Sequence, residues 1–291
     1  MVCVEQAAGG RDRGDAEQTA GGRGRGDAGQ MPATPPMLQF PVLSGLPGVV
    51  HGFSTRLGGV SEGIYESLNL SFSRGDDAAR VLENYRRASA YFGTVPECII
   101  TVDQQHTGRV VRVDETNAGE GVVRERSIPE ADGMVTDVPG LLLSTFHADC
   151  TPIFLVDPVR RAIGLVHSGW RGTKARIARN AIRKMAEDFG SRPQDLFAGI
   201  GPSICRDCYE IGEEVAEELA ADFAMALRKR ESGKWDFDLF AANRAVLLDS
   251  GVLASRISVS GICTCENAGL LFSHRATQGQ RGNLAAFLML R

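Results

Sequence analysis

The sequence has no run of 18 apolar residues, which excludes a membrane-spanning helix of ordinary length. It has no apolar core behind a basic start, so no secretory signal is expected. It also lacks the basic excess that a sequence-independent nucleic-acid binder needs. Against 36 Asp and Glu stand only 32 Lys and Arg, giving a formal net charge of -4 and a pI near 5.8. Histidine is scarce, with five in 291 residues, at positions 51, 106, 147, 167 and 274. Seven cysteines are too few, and odd in number, for a disulfide framework. They fit a reducing compartment where thiols serve metals, chemistry or packing. The expectation is a cytoplasmic protein with neither a nucleic-acid nor a membrane partner.

What is present sorts into two regions. AGGRDRGDAEQ (8–18) returns twelve residues on as AGGRGRGDAGQ (20–30). Gly, Arg and Asp dominate, with almost nothing to bury, so residues 1–37 read as a disordered tail. Met31 or Met37 is an alternative start for the working protein. Residues 38–291 read as one domain, because nothing inside them marks a linker. The chain is 43% hydrophobic, enough for a substantial core.

Strands are expected at 49–55, 98–106, 109–116, 140–158 with a polar break, 162–170, 195–204, 257–265 and 270–275. Helices are expected at 76–93, 173–189, 210–227 and 238–251, the last with Asp238 as N-cap and Gly251 as stop. The elements mix without strict alternation, which favours α+β over a doubly wound sheet.

Three histidines end strands beside glycine or polar residues, in QQHTG, TFHADC and VHSGW, and Cys150 lies between the last two. A site of two imidazoles and one thiolate suits Zn²⁺, and three protein ligands leave a fourth position open for water or substrate. On spacing alone a strand-end histidine is more often a hydrogen-bonded packing residue than a metal ligand. A rival constellation is C-x-x-C at Cys205 and Cys208 followed by C-x-C at Cys263 and Cys265, the pattern of a four-thiolate structural zinc. Buried free thiols are the plain alternative. Asp132 and Asp149 suit either a structural and orienting role or direct proton transfer.

The segments HGFSTRLGGVSEGIYESLNLS, QQHTGRVV, ADGMVTDVPGLLLSTFHADCTPIFLVDP, IGLVHSGWRGT, AGIGPSICRDCYEIG and SHRATQGQRGNLAAF together resemble the multicopper polyphenol oxidase, or laccase-domain, family. Its members are also described as purine nucleoside phosphorylases and as peptidoglycan editing factors. The resemblance runs from about residue 51 to 288. It implies an α+β sandwich of mixed β-sheets with outer helices, similar to the cysteine hydrolases. It implies metal ligands at His106, Cys150 and His167, the same three serving catalysis, with His147 outside the set. It implies zinc, with copper as the alternative, although multiple copper centres ordinarily need more histidines than five.

The activity implied is phosphorolysis of adenosine or inosine to free base and ribose 1-phosphate, with adenosine deamination as a possible second activity. Alternatives are a hydrolase that edits cell-wall precursors and a copper-dependent polyphenol oxidase. The partners implied are a small nucleoside and phosphate. Arg56 and Asn69, in and beside the loop STRLGGVSEG, and Arg171, at the strand-to-helix turn, are expected to hold substrate oxygens. A helix starting near Thr173 is expected to point free N–H groups at the same place. Gly169 and Gly172 are expected to permit close backbone approach. Trp170 is expected to pack the turn rather than stack on substrate.

Overall fold

The computed structural model describes residues 34–291. The tail expected over residues 1–37 lies outside the described residues as far as residue 33. Its boundary needs one correction: Met37–Leu38 form a single strand, β1, paired antiparallel with Phe53 and Ser54.

In chain order the elements after β1 are α1 (Pro41–Ser44), β2 (Val49–Ser54), α2 (Ala78–Tyr91), β3 (Ile99–Thr101), β4 (Val110–Arg112) and β5 (Gly133–Thr136). Then come β6 (Leu142–His147), β7 (Thr151–Asp157), β8 (Ala162–Ser168), α3 (Trp170–Lys174), α4 (Ile177–Phe189) and β9 (Phe197–Ile200). The chain closes with β10 (Glu210–Ile211), α5 (Glu213–Phe223), β11 (Leu227–Lys229), β12 (Trp235–Phe237), α6 (Leu239–Asp249), β13 (Ile257–Val259) and β14 (Leu284–Leu290).

Two mixed sheets stack face to face. One has five strands in the order β1-β2-β14-β6-β3, the other six in the order β13-β9-β7-β8-β5-β4. The alternation of side chains along each strand assigns the layers. Along β7, Phe154 and Val156 face the partner sheet while Ile153 and Leu155 face helices. Along β8, Ile163 and Leu165 point inward and Ala162 and Val166 point to the same helices. Along β14, Leu284, Ala286, Leu288 and Leu290 enter the inter-sheet core, and Ala285, Phe287 and Met289 pack under α2. Strands buried on both faces read as unbroken apolar runs, which is how β14 appears in the sequence. The result is a sandwich of mixed sheets with helices outside, as expected.

Local signals hold at the helix ends. Asp77 caps α2 by accepting from the amides of Ala79 and Arg80, and Val81, Tyr85 and Ala88 bury one stripe. Asp238 caps α6 through the amide of Ala241, and Gly251 follows its end at φ +93°.

Several expectations need correction. Residues 270–275 form turns, not a strand; Leu271 and Phe272 are buried there, but the following residues open onto a cavity. The true closing strand is β14. The helix expected at 173–189 is two pieces, α3 and α4, because Arg176 adopts a left-handed conformation (φ 52°, ψ 46°) between them. The short ribbon β10-β12-β11 was not anticipated. Among the described residues no helix is long and apolar enough to cross a membrane.

Candidate active site

His106 follows β3 in a loop, Cys150 sits in the turn between β6 and β7, and His167 lies near the end of β8. The sandwich brings these three to one place. The Sγ of Cys150 and one ring nitrogen from each histidine all lie within 4.8 Å of one another. Cys150 Sγ is 4.0 Å from His106 Nε2, and the two imidazoles meet edge to face with centroids 4.9 Å apart.

The turn after β8 is built for this approach. A Cβ on Gly169 would lie 2.8 Å from Cys150 Sγ and 3.3 Å from His106 Cδ2, so no larger residue fits without displacing the site. Gly172 is also tight, with an added Cβ 3.3 Å from the His167 carbonyl.

Asp132, fully buried at the start of β5, organises two of the three groups. Its Oδ1 accepts from His167 Nδ1 at 2.8 Å and from the His106 amide at 3.1 Å. Its Oδ2 accepts from the Gln105 amide at 3.2 Å and from the amide and hydroxyl of Thr107 at 2.6 and 2.9 Å. His106 itself is held at φ 60°, a conformation that costs free energy in a non-glycine residue and needs such support. Burial opposes ionisation of Asp132, but the bond and charge of His167 and the Thr107 donors outweigh it, and the carboxyl titrates below its usual range.

The electrostatics favour a thiolate. Burial raises the Cys150 pKa, but the His167 charge and hydrogen bonds from both imidazoles bring it down to about 6. Burial likewise disfavours charge on His167, yet Cys150 and Asp132 raise its pKa to about 9. Without an ion the pair is therefore thiolate and imidazolium at neutral pH. The donor set of one low-pKa thiolate and two imidazoles fits a borderline metal such as zinc, which would take the place of the His167 Nε2 proton.

His147 has both ring nitrogens engaged, Nε2 with Thr145 Oγ1 at 2.8 Å and Nδ1 with the Cys150 carbonyl at 3.0 Å. Burial and the nearby His167 push its pKa far down, so it stays neutral. It shapes the Cys150 turn rather than offering a lone pair. Asp149, at φ 91°, accepts from Thr264 Oγ1 at 2.6 Å and from the Arg275 amide at 2.7 Å. It ties the Cys150 turn to the closing segment.

The three groups line one side of a cavity of about 500 Å³. Its other walls carry Arg74, Arg126, Arg275, Arg281, His274 and Tyr209. None of these four guanidinium groups forms an ion pair among the described residues. The Nε atoms of Arg74 and Arg281 are buried and donate to nothing described. Burial and the Arg74 charge lower the Arg281 pKa to about 10, and burial and Arg281 keep His274 below its usual value. Four guanidinium groups in no ion pair, two of them with idle buried N–H groups, outnumber the Asp103 and Asp149 carboxylates that share the lining and make an anion site.

The substrate contacts expected from sequence fall elsewhere. Arg56 donates to the carbonyls of Glu66 and Ala268 and lies 4.7 Å over the Phe272 ring; it holds a loop. Asn69 is buried, bonded to Ser71, Asp76 and the Asn283 amide, and braces the cavity wall from behind. Arg171 is exposed and stacks 4.3 Å over Trp170, which packs on the helical core. None of the three lines the cavity. The Thr173 amide is already bonded to the Gly169 carbonyl, so it is not the free donor expected at a helix start. The cavity arginines were missed because they sit in polar loops with no periodicity. The one available signal was their density in SHRATQGQR, where Arg275 and Arg281 fall.

Fold and site thus define an α+β protein with a candidate metal centre facing an arginine-lined cavity. The family model described as multi-copper polyphenol oxidoreductase laccase matches residues 50–291, and the chain belongs to that family. It is 35% identical over 247 residues to purine nucleoside phosphorylase YlmD of Bacillus subtilis, covering 84% of this chain and 89% of the relative. It is 36% identical over 233 residues to adenosine deaminase RL5 of an unknown prokaryotic organism, covering 78% and 88%. The crystal structure of YlmD from Geobacillus stearothermophilus superposes with a TM-score of 0.84 at 33% identity, covering 90% of this chain and 98% of that one.

Proposed function

We propose that the protein is a purine nucleoside phosphorylase whose metal, zinc, is held by His106, Cys150 and His167. The observation that carries this reading is the pairing, in one cavity, of that donor set with four guanidinium groups that have no described carboxylate partner. The similarity to YlmD agrees with it.

In the reaction a phosphate oxygen attacks C1′ of the nucleoside while the bond from C1′ to the base nitrogen breaks. The bonding electrons leave with the base, which takes up a proton, and ribose 1-phosphate remains. Arg74 and Arg281 bind the phosphate with their idle donors, and Arg126 and Arg275 add positive charge around it. Zinc held by His106, Cys150 and His167 would supply Lewis-acid polarisation on the side of the cavity that these residues line. Asp132 holds His167 in one tautomer and fixes the His106 loop. Half-enclosed walls limit the water that would otherwise compete with phosphate.

Incubation with inosine or adenosine, with and without phosphate, tests the proposal. The expected result is phosphate-dependent release of base with ribose 1-phosphate in equal amount. Ammonia from adenosine without any need for phosphate, and no base release, overturns it in favour of the deaminase chemistry named for RL5.

A further inference from the structure

A second cluster of metal-type donors lies behind the cavity wall, and nothing in the reaction above uses it. The Sγ atoms of Cys205, Cys208 and Cys263 and a carboxylate oxygen of Glu266 all lie within 4.8 Å of one another. Two separate segments supply them. Cys205 and Cys208 bracket a single 3₁₀ turn after β9, and Cys263 and Glu266 bracket the turn after β13. A parallel bridge between Ser203 and Cys263 fixes the two segments side by side.

We infer that Cys205, Cys208, Cys263 and Glu266 form a second, structural zinc site, closed by four protein ligands. Tetrahedral zinc with bonds of about 2.3 Å to sulfur sets sulfur atoms roughly 3.8 Å apart, so the donors need to draw in by about 1 Å at most. The buried Cys263 sulfur already accepts two backbone amides, from Cys205 at 3.3 Å and from Glu266 at 3.5 Å. The pairs C-x-x-C and C-x-x-E each place two donors across one turn, which is the spacing of zinc knuckles. The fourth ligand is the Glu266 carboxylate rather than the Cys265 thiol expected from C-x-C, because Cys263 and Cys265 do not share a strand: β13 ends at Val259.

The site has a structural task. Ser203, the bridge partner of Cys263, donates to the Asp149 carbonyl, and Thr264, next to Cys263, donates to the Asp149 carboxylate. Joining the two segments through an ion therefore clamps Asp149 and, with it, the Cys150 turn. A closed shell with no open position suits that role and not catalysis.

The test uses the full chain grown with zinc and purified under reducing conditions without chelator. Cys150→Ala removes the first site, so its residual metal reports the second. Elemental analysis is expected to give about two zinc ions per wild-type chain, about one in Cys150→Ala, and none in Cys150→Ala with Cys208→Ser. Cobalt(II) bound to Cys150→Ala is expected to show intense thiolate-to-cobalt charge-transfer absorption, and this reading needs no further variant to fold. In the same background Glu266→Gln is expected to weaken zinc at least about tenfold against a chromophoric chelator. A Cys150→Ala chain without zinc or without the cobalt bands overturns the site. So does a Cys205–Cys208 disulfide whose reduction yields no metal binding. Loss of zinc on Cys265→Ser with none on Glu266→Gln overturns the place of the carboxylate. The phosphorolysis assay is not among the readouts, so this inference and the proposed activity fail separately.

Discussion

Asp132 and His167 share a 2.8 Å hydrogen bond in which the imidazole donates from Nδ1 and the carboxylate is fully buried. The same carboxylate takes three consecutive backbone amides, of Gln105, His106 and Thr107. One side chain thereby sets the tautomer of His167, leaving Nε2 for a ligand, and the path of the loop that carries His106. Replacing Asp132 with Asn puts a donor where only donors converge. Asp132→Asn is expected to lose about 10–100-fold in zinc affinity, measured by chelator competition, with a matching loss of turnover.

Cys150 is the only thiolate in the His106 group. Cys150→Ala is expected to lose the metal of this site and lower kcat by at least about a thousandfold, while the unfolding midpoint moves by only a few degrees. An open site adds less to folding than a closed one. Full activity in this variant would show that the ligand assignment is wrong.

Arg74 and Arg281 carry the idle buried donors of the cavity. Loss of a charged hydrogen-bond partner corresponds to about 1.5–3 kcal/mol, or roughly 10–150-fold. Arg281→Gln and Arg74→Gln are each expected to raise the phosphate KM by that order and the nucleoside KM much less. Arg56→Ala is the contrast. It is expected to lower stability by about 1–2 kcal/mol through its loop contacts, with the phosphate KM changed less than about twofold. Equal effects on both KM values would place the anion elsewhere.

His51, remote from the cavity, couples stability to pH. Its Nε2 accepts the Phe40 amide at 2.8 Å, and burial lowers its pKa to about 4. The unfolded value is near 6.5, so between the two the unfolded chain binds the extra proton. The contribution is present above pH 6.5 and is lost as pH falls towards 4, by roughly 3 kcal/mol in the limit. His51→Gln keeps an acceptor without the titration. Denaturant unfolding at pH 7 and pH 4.5 is expected to show a smaller loss in this variant than in the wild type.

Much of this protein was legible in its residues. Asp77 and Asp238 announce their helices, because capping is local chemistry. The apolar runs of β6, β7 and β8 announce strands buried on both faces. QQHTG, ADC and HSGWRG pointed by family resemblance to the three groups that the fold brings together. Strand 284–290 was masked because a continuous apolar run has no period to separate sheet from helix. The break at Arg176 was invisible because one left-handed residue leaves no compositional trace.

The residue types alone determined which chemistries are available: few imidazoles, scattered thiols, a mixed α+β pattern and no long apolar span. Only tertiary structure decided which groups meet. Cys150 and His106 are 44 positions apart, and Thr264 reaches back across 115 to Asp149. Such approaches depend on how two sheets stack and how their loops turn, which is a property of packing at a distance and not of neighbours in the chain. The same holds for the arginines. Arg56 and Arg171 read like anion ligands beside glycines, yet nearby carbonyls and a tryptophan ring occupy them, while Arg74 and Arg281 were left with donors to spare.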